Sequence, residues 1–296
     1  MIHLRDVRVG ETLDLGWIDV DAAAVRRYWN AVGLPAPVSQ RHLPLGLALA
    51  LRGAPRPALE LAAEAVSVHA GHTLAAHRPF VAERRYRLLA RIADIFEKSG
   101  RSGPLTVIVR TSELLDEHGA TVVTIREQQI ARWRGRPTEP RPIQVRHADG
   151  ESVAPEESVE IGSTIAVEHR LAPDARTVHG YAASLSGREP LFSDAEFARE
   201  LGYADVIVPG PVRSALLEAL LARHLPRWDL VDLSLTFRVS VVAAEPISLT
   251  AMVIEADDLG HRLVVDLTVE NSHAERAAVG TATLRLSPLD GGEGRG

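Results

Sequence analysis

No cysteine occurs anywhere in the 296 residues, which removes disulfides, thiolate nucleophiles and thiolate zinc sites together. Lysine is nearly as scarce: Lys98 stands alone, and arginine carries the remaining basic charge. That bias, with abundant alanine, points to a high-GC bacterial genome and says nothing about mechanism. No apolar run is long enough to span a bilayer. The N-terminus, Met1-Ile-His-Leu-Arg-Asp-Val7, lacks the apolar stretch of a signal peptide, so a cytoplasmic protein with no membrane contact is expected. The sequence also holds no Gly-rich phosphate loop, no Gly-x-Ser-x-Gly elbow and no nucleotide fingerprint. Ser184 and Ser186 have no base beside them, which argues against a serine hydrolase. A formal charge of −6 argues against a general nucleic-acid binder.

What is present is ordinary for a globular chain, 46% hydrophobic and 24% charged, and it reads twice. Asp19 to Gly33 has a helix's form. Asp19 or Asp21 can cap it, Gly33 can stop it, and Val25, Tyr28, Trp29 and Val32 form one apolar stripe. Asp174 to Gly187 repeats that form, with Val178, Tyr181 and Leu185 as the stripe. A second apolar helix follows in each half, over Pro44–Leu51 and Pro211–His224. Three strands then close each half: Tyr86–Ile95, Leu105–Arg110 and Ala120–Ile125 in the first, Ile247–Ile254, Leu263–Val269 and Val279–Leu286 in the second. Helices followed by an antiparallel meander, given twice, imply an α+β duplication. The expected organisation is a first half over 1–133, an Arg/Pro-rich linker over 134–157, a second half over 158–288 and a disordered tail over 289–296.

The most informative run is Tyr181-Ala-Ala-Ser-Leu-Ser-Gly-Arg-Glu-Pro-Leu-Phe-Ser-Asp194, followed by Ala198-Arg-Glu-Leu-Gly202 and Val206-Ile-Val-Pro-Gly210. It resembles the active-site segment of the MaoC-like acyl-thioester hydratases and dehydratases, which reads Tyr…Ser-Gly-Asp-x-Asn-Pro-(Ile/Leu)-His-x-Asp, with His-Gly entering the next helix. The first half resembles the non-catalytic partner of such enzymes at Val68-His-Ala-Gly71, His77-Arg-Pro-Phe80 and Glu97-Lys-Ser-Gly-Arg-Ser-Gly-Pro104. Leu235-Thr-Phe-Arg238 adds a further match in the second. The resemblance implies a double hot-dog fold, each half an antiparallel sheet wrapped around a central helix. It also implies an acyl-thioester substrate on coenzyme A or an acyl carrier protein, or a free polyketide-like molecule, with no cofactor and a possible homodimer. In both halves the Gly-Asp that opens the long strand is altered, to Ala82-Glu83 and Ala244-Glu245.

The departures bear on chemistry. Hydration of this type needs a carboxylate and an imidazole that exchange protons with water. The family's catalytic Asp position here holds Arg188 and its His position holds Phe192, neither able to transfer a proton. The run from Gly187 to Pro190 is also one residue shorter than the family form. The remaining candidates for catalysis are Arg188 as an anion binder, Glu189 as a base, Asp194, which also fits a helix cap, and His179, which also fits a helix surface. Tyr181, Phe192, Pro209 and Gly210 are the candidate substrate contacts, Gly210 through N–H groups at a helix start and Phe192 as an apolar plug. His69, His72 and His77 cluster without a zinc spacing, and no metal is expected. Arg85, Arg87 and Arg91 share one strand face that suits coenzyme A phosphates, a carrier protein or plain solvent. Two classes of function stay open: a recruited biosynthetic enzyme performing cyclisation, isomerisation or an atypical dehydration, and a non-catalytic acyl-binding or partner subunit.

Overall fold

In the computed structural model the described residues are 2–4, 8–35, 42–51, 59–61, 65–100, 103–133, 141–144, 160–183 and 189–287. Arg188, Ser184, Ser186, the tail and most of the expected linker lie outside them.

Alternation of apolar and polar residues makes strands, and these strands assemble into one antiparallel sheet of ten. The first half supplies β2 (Thr12–Val20), β4 (Ala65–Ala76), β5 (Arg84–Gly100), β6 (Gly103–Leu115) and β7 (Thr121–Trp133). The second supplies β8 (Thr164–Leu171), β9 (Trp228–Phe237), β10 (Pro246–Ala256), β11 (Arg262–Glu270) and β12 (Arg276–Leu286). A short pair, β1 (Ile2–Leu4) and β3 (Leu59–Leu61), stands apart. Across the large sheet the order is β2-β5-β6-β7-β4-β9-β12-β11-β10-β8. Each half therefore orders its own strands first-third-fourth-fifth-second, and the two meet where β4 pairs with β9, Gly71 opposite Thr236 and Ala75 opposite Asp232.

The hairpin turns are built alike in both halves. Asp116 accepts the N–H groups of His118 and Ala120, and Asp257 accepts those of His261 and Arg262. Those bonds hold both carboxyls below the usual range, the Ala120 and Arg262 bonds contributing most.

Helices cover one face. In α1 (Ala22–Val32) Asp21 takes the cap, accepting the Ala24 N–H, and Gly33 at φ 71° ends it. Tyr28, Trp29 and Val32 are buried as the stripe required. The second half repeats this with α3 (Ala175–Tyr181), capped by Asp174, which accepts the Thr177 N–H. Its stripe residues Val178 and Tyr181 are buried, and the third, Leu185, lies outside the described residues. The second helices are α2 (Leu45–Leu51) and α5 (Gly210–His224), with α4 (Ala195–Glu200) between α3 and α5. Helix α5 is buried nearly all round, from Gly210 through Leu221, and packs on β4, β8, β9 and β10. Each fully buried Leu along it contributes about 1.5–3 kcal/mol of transfer free energy.

Two deviations are local. Ala244 and Glu83 adopt positive φ, 58° and 57°, at the altered Gly-Asp positions. Each glutamate there still binds backbone: Glu83 accepts the Ala22 N–H and Glu245 accepts that of Val242. The arginine face of β5 is exposed, with Arg87 on Asp14 and Arg85 near Asp19 and over the Trp17 ring.

Candidate active site

A cavity of about 440 Å³ opens at the seam of the two halves, where α5 begins. That volume suits a small-molecule ligand. Its walls come from β4 (Val68, His69), the end of β9 (Phe237), the segment after it, the turn before β12, and the stretch from Ile207 to Arg213. Gly210 is the first residue of α5, and its N–H donates to no described backbone group, as expected at a helix start. A Cβ at Gly210 would lie 2.7 Å from the Phe237 ring and 3.1 Å from His69 Cδ2, so glycine is what lets these two side chains pack against the helix start.

The wall on the β4 side carries a buried polar chain. His69 Nε2 lies 3.0 Å from His72 Nδ1, and His72 Nε2 lies 3.1 Å from the Ser214 hydroxyl on α5. His69 Nδ1 is 3.6 Å from Glu127 Oε1, and Glu127 is only 2% exposed. Arg110 is buried directly across from Glu127 in the β6–β7 ladder. The Phe237 ring packs against both imidazoles, with centroids 5.6 and 5.5 Å away. The result is an imidazole–carboxylate couple assembled wholly from the first half.

The opposite wall carries Arg213, 4% exposed on the first turn of α5. One terminal nitrogen donates to the carbonyls of Val239 and Ala277, at 2.8 and 3.1 Å. The guanidinium lies 4.6 Å above the Phe237 ring. Burial lowers its pKa to about 10, while nearby Glu245 favours the charge. Glu245 itself accepts from the Val242 N–H and the Ser272 hydroxyl. At the rim Glu275 accepts from Asn271 and from Arg141, which together hold its carboxyl below the usual range.

Of the residues singled out in the sequence, Phe192, Pro209 and Gly210 line the cavity, Phe192 being 9% exposed. Tyr181 does not reach it: its ring is buried in the core beside Tyr28, because the α3 stripe faces α1. Asp194 caps α4, accepting the N–H groups of Glu196 and Phe197. His179 is exposed on the last turn of α3, and Glu189 is half-buried at the start of a 3-10 turn over Pro190–Phe192. Arg188 falls outside the described residues. His77 turns away from its neighbours and bonds Thr124.

Sequence reasoning passed over His69 as a cavity residue, and with it Glu127, Ser214 and Arg213. Two signals were available. Arg213, Ser214 and Glu218 interrupt an otherwise apolar run from Val212 to Ala222, and Arg110 ends the apolar run of β6 while Glu127 lies in a polar stretch, Arg126 to Gln129, of β7.

No protein-family model matches the chain. Its sequence is similar to a mitochondrial 3-hydroxyacyl-[acyl-carrier-protein] dehydratase of Solanum lycopersicum, 26% identical over 145 residues that cover 48% of this chain and 87% of that protein. A solved MaoC-like dehydratase superposes with a TM-score of 0.76 over 95% of this chain and 99% of its own, at 18% identity. A Mycobacterium tuberculosis protein described as a double hotdog fold gives 0.59 over 95% and 97%, at 14% identity.

Proposed function

From the premise that this chain has the double hot-dog fold of the MaoC-like dehydratases, we propose that it is an enzyme acting on an acyl thioester, or on a polyketide-derived molecule, in the cavity at the start of α5. The observation that carries this reading is Gly210: a helix start that lines the cavity, where the absence of a Cβ lets the Phe237 ring and His69 pack against the helix end. A substrate carbonyl placed there meets an N–H donor and the positive end of a fifteen-residue helix, which favour the charge that develops when the α-carbon loses a proton.

Proton transfer at positions 188 and 192 has no acid or base to use, since they hold Arg and Phe. In this proposal the work falls to His69. Its Nε2 exchanges the His72 bond for a substrate proton, and Glu127 steadies the imidazolium that results. Phe192 makes that side of the cavity apolar and suited to an alkyl chain. Ordinary hydration is then slow, while isomerisation, cyclisation or an atypical dehydration needs only a held chain, a polarised carbonyl and one base. A recruited biosynthetic role fits these substitutions.

The competing reading, a silent partner subunit, calls for a collapsed cavity and a broad exposed apolar face. The open cavity with fixed, buried polar groups supports the enzyme instead. The test is a calorimetric titration with hexanoyl-CoA. One saturable site per chain is expected; no binding by hexanoyl-CoA, by its shorter and longer homologues or by dicarboxylic acyl-CoAs would overturn the proposal.

A further inference from the structure

Arg213 has more donors than the protein uses. Its guanidinium is buried against the cavity, yet among the described residues no carboxylate lies within ion-pairing distance of it. One nitrogen serves two carbonyls, and Nε is buried with no acceptor. Buried N–H groups without acceptors are rare, and a buried cation without an anion rarer, because both forfeit hydration without replacement. The nearest acidic neighbour, Glu245, has one oxygen on the Val242 N–H and the other on the Ser272 hydroxyl. Glu275, the other carboxylate on the cavity wall, is engaged by Arg141 and Asn271.

Position matters as much as charge. Arg213 sits three residues after Gly210, about 4.5 Å along the helix axis, so both donors serve the same cavity within reach of one small ligand. A planar guanidinium already fixed by two carbonyls and an aromatic face is preorganised for a carboxylate, which it can meet with charge-assisted bonds from the terminal nitrogen those carbonyls leave free. At neutral pH the group is charged despite its burial.

We propose that Arg213 is the subsite for a carboxylate carried by the substrate's acyl portion, a few carbons from the carbonyl held at Gly210. This rests on the acyl-thioester reading above and narrows it to dicarboxylic monothioesters. The same chemistry would also accept a free short-chain acid.

The experiment titrates the wild-type protein with succinyl-, glutaryl- and adipoyl-CoA, each beside the matching monoacid thioester, and with pentanoate beside pentanamide. At least one dicarboxylic thioester is expected to bind tenfold or more tightly than its monoacid partner. Arg213→Gln should erase that preference and Arg213→Lys retain part of it, with circular dichroism verifying the fold of each variant. Equal affinities within every thioester pair, with pentanoate no better than pentanamide, would overturn the carboxylate subsite while leaving the thioester reading intact. Pentanoate bound over pentanamide, with no thioester bound, would keep the subsite for a free acid and overturn the thioester reading. No binding by any of these ligands would overturn both. Should Arg213→Gln fail to fold, the wild-type ligand pairs decide the question alone.

Discussion

His69 and His72 stand three residues apart on one strand, yet their rings meet at 3.0 Å on the same side of the sheet. Strict alternation would send them to opposite faces. Between them the register with β7 shifts, His69 opposite Gln129 and Gly71 opposite Gln128, so Ala70 is an extra residue in a β-bulge. The bulge turns His69 toward the cavity and lets Glu127, opposite His72, approach both imidazoles.

Gly46 is fixed by close approach. A Cβ there would overlap the Tyr28 hydroxyl and come within 2.6 Å of Glu218 Oε1, both deep in the helical layer. Gly46→Ala should therefore destabilise the fold by about 1–3 kcal/mol through overpacking. Urea unfolding checks this; an unchanged midpoint would mean the layer yields freely.

The same carboxyl sets a pH dependence. Burial raises Glu218 from 4.5 to about 8, against the opposing hydrogen bonds from Gly46 and Leu45. The folded protein then keeps a proton that the unfolded chain releases, so its contribution is full below pH 4.5 and is lost as pH rises toward 8. Between pH 5.5 and 8.5 the wild type should lose more stability than Glu218→Gln. Parallel losses in paired denaturation curves would contradict this.

Ala244 holds a left-handed conformation, φ 58°, a region that favours glycine. Replacing it with glycine should stabilise by about 1 kcal/mol, since the steric cost of Cβ there exceeds glycine's extra entropy in the unfolded chain. Thermal melts give the answer, and a lower melting temperature would count against it.

Much of the fold was legible because it is local. Asp21, Gly33 and the Tyr28-Trp29 stripe mark α1 without help from the rest of the chain, and the meander strands β5–β7 and β10–β12 follow from alternation between turn residues. The strands missed were the short β1 and β3 and, in the large sheet, β2, β4, β8 and β9, the first two that each half contributes to it. In β4 the bulge breaks the alternation, and Ala, Gly and His along the seam replace the usual branched residues. The site was legible only in part. Gly210 and Phe192 are placed by segments close in sequence, whereas His69, Glu127 and Arg213 come together through the pairing of β4 with β7 and the packing of α5 on β4. Nothing in their spacing announces that meeting.

The measurement that bears most directly on the account is solvent-deuterium exchange at the α-carbon of hexanoyl-CoA, read by mass spectrometry. It reports loss and return of the α-proton whatever the final reaction. The wild type should incorporate deuterium well above the buffer rate, His69→Gln should slow this by about a hundredfold or more, and the exposed His179→Gln should not. Exchange that survives intact in His69→Gln would contradict the assignment of proton transfer to the first half's imidazole.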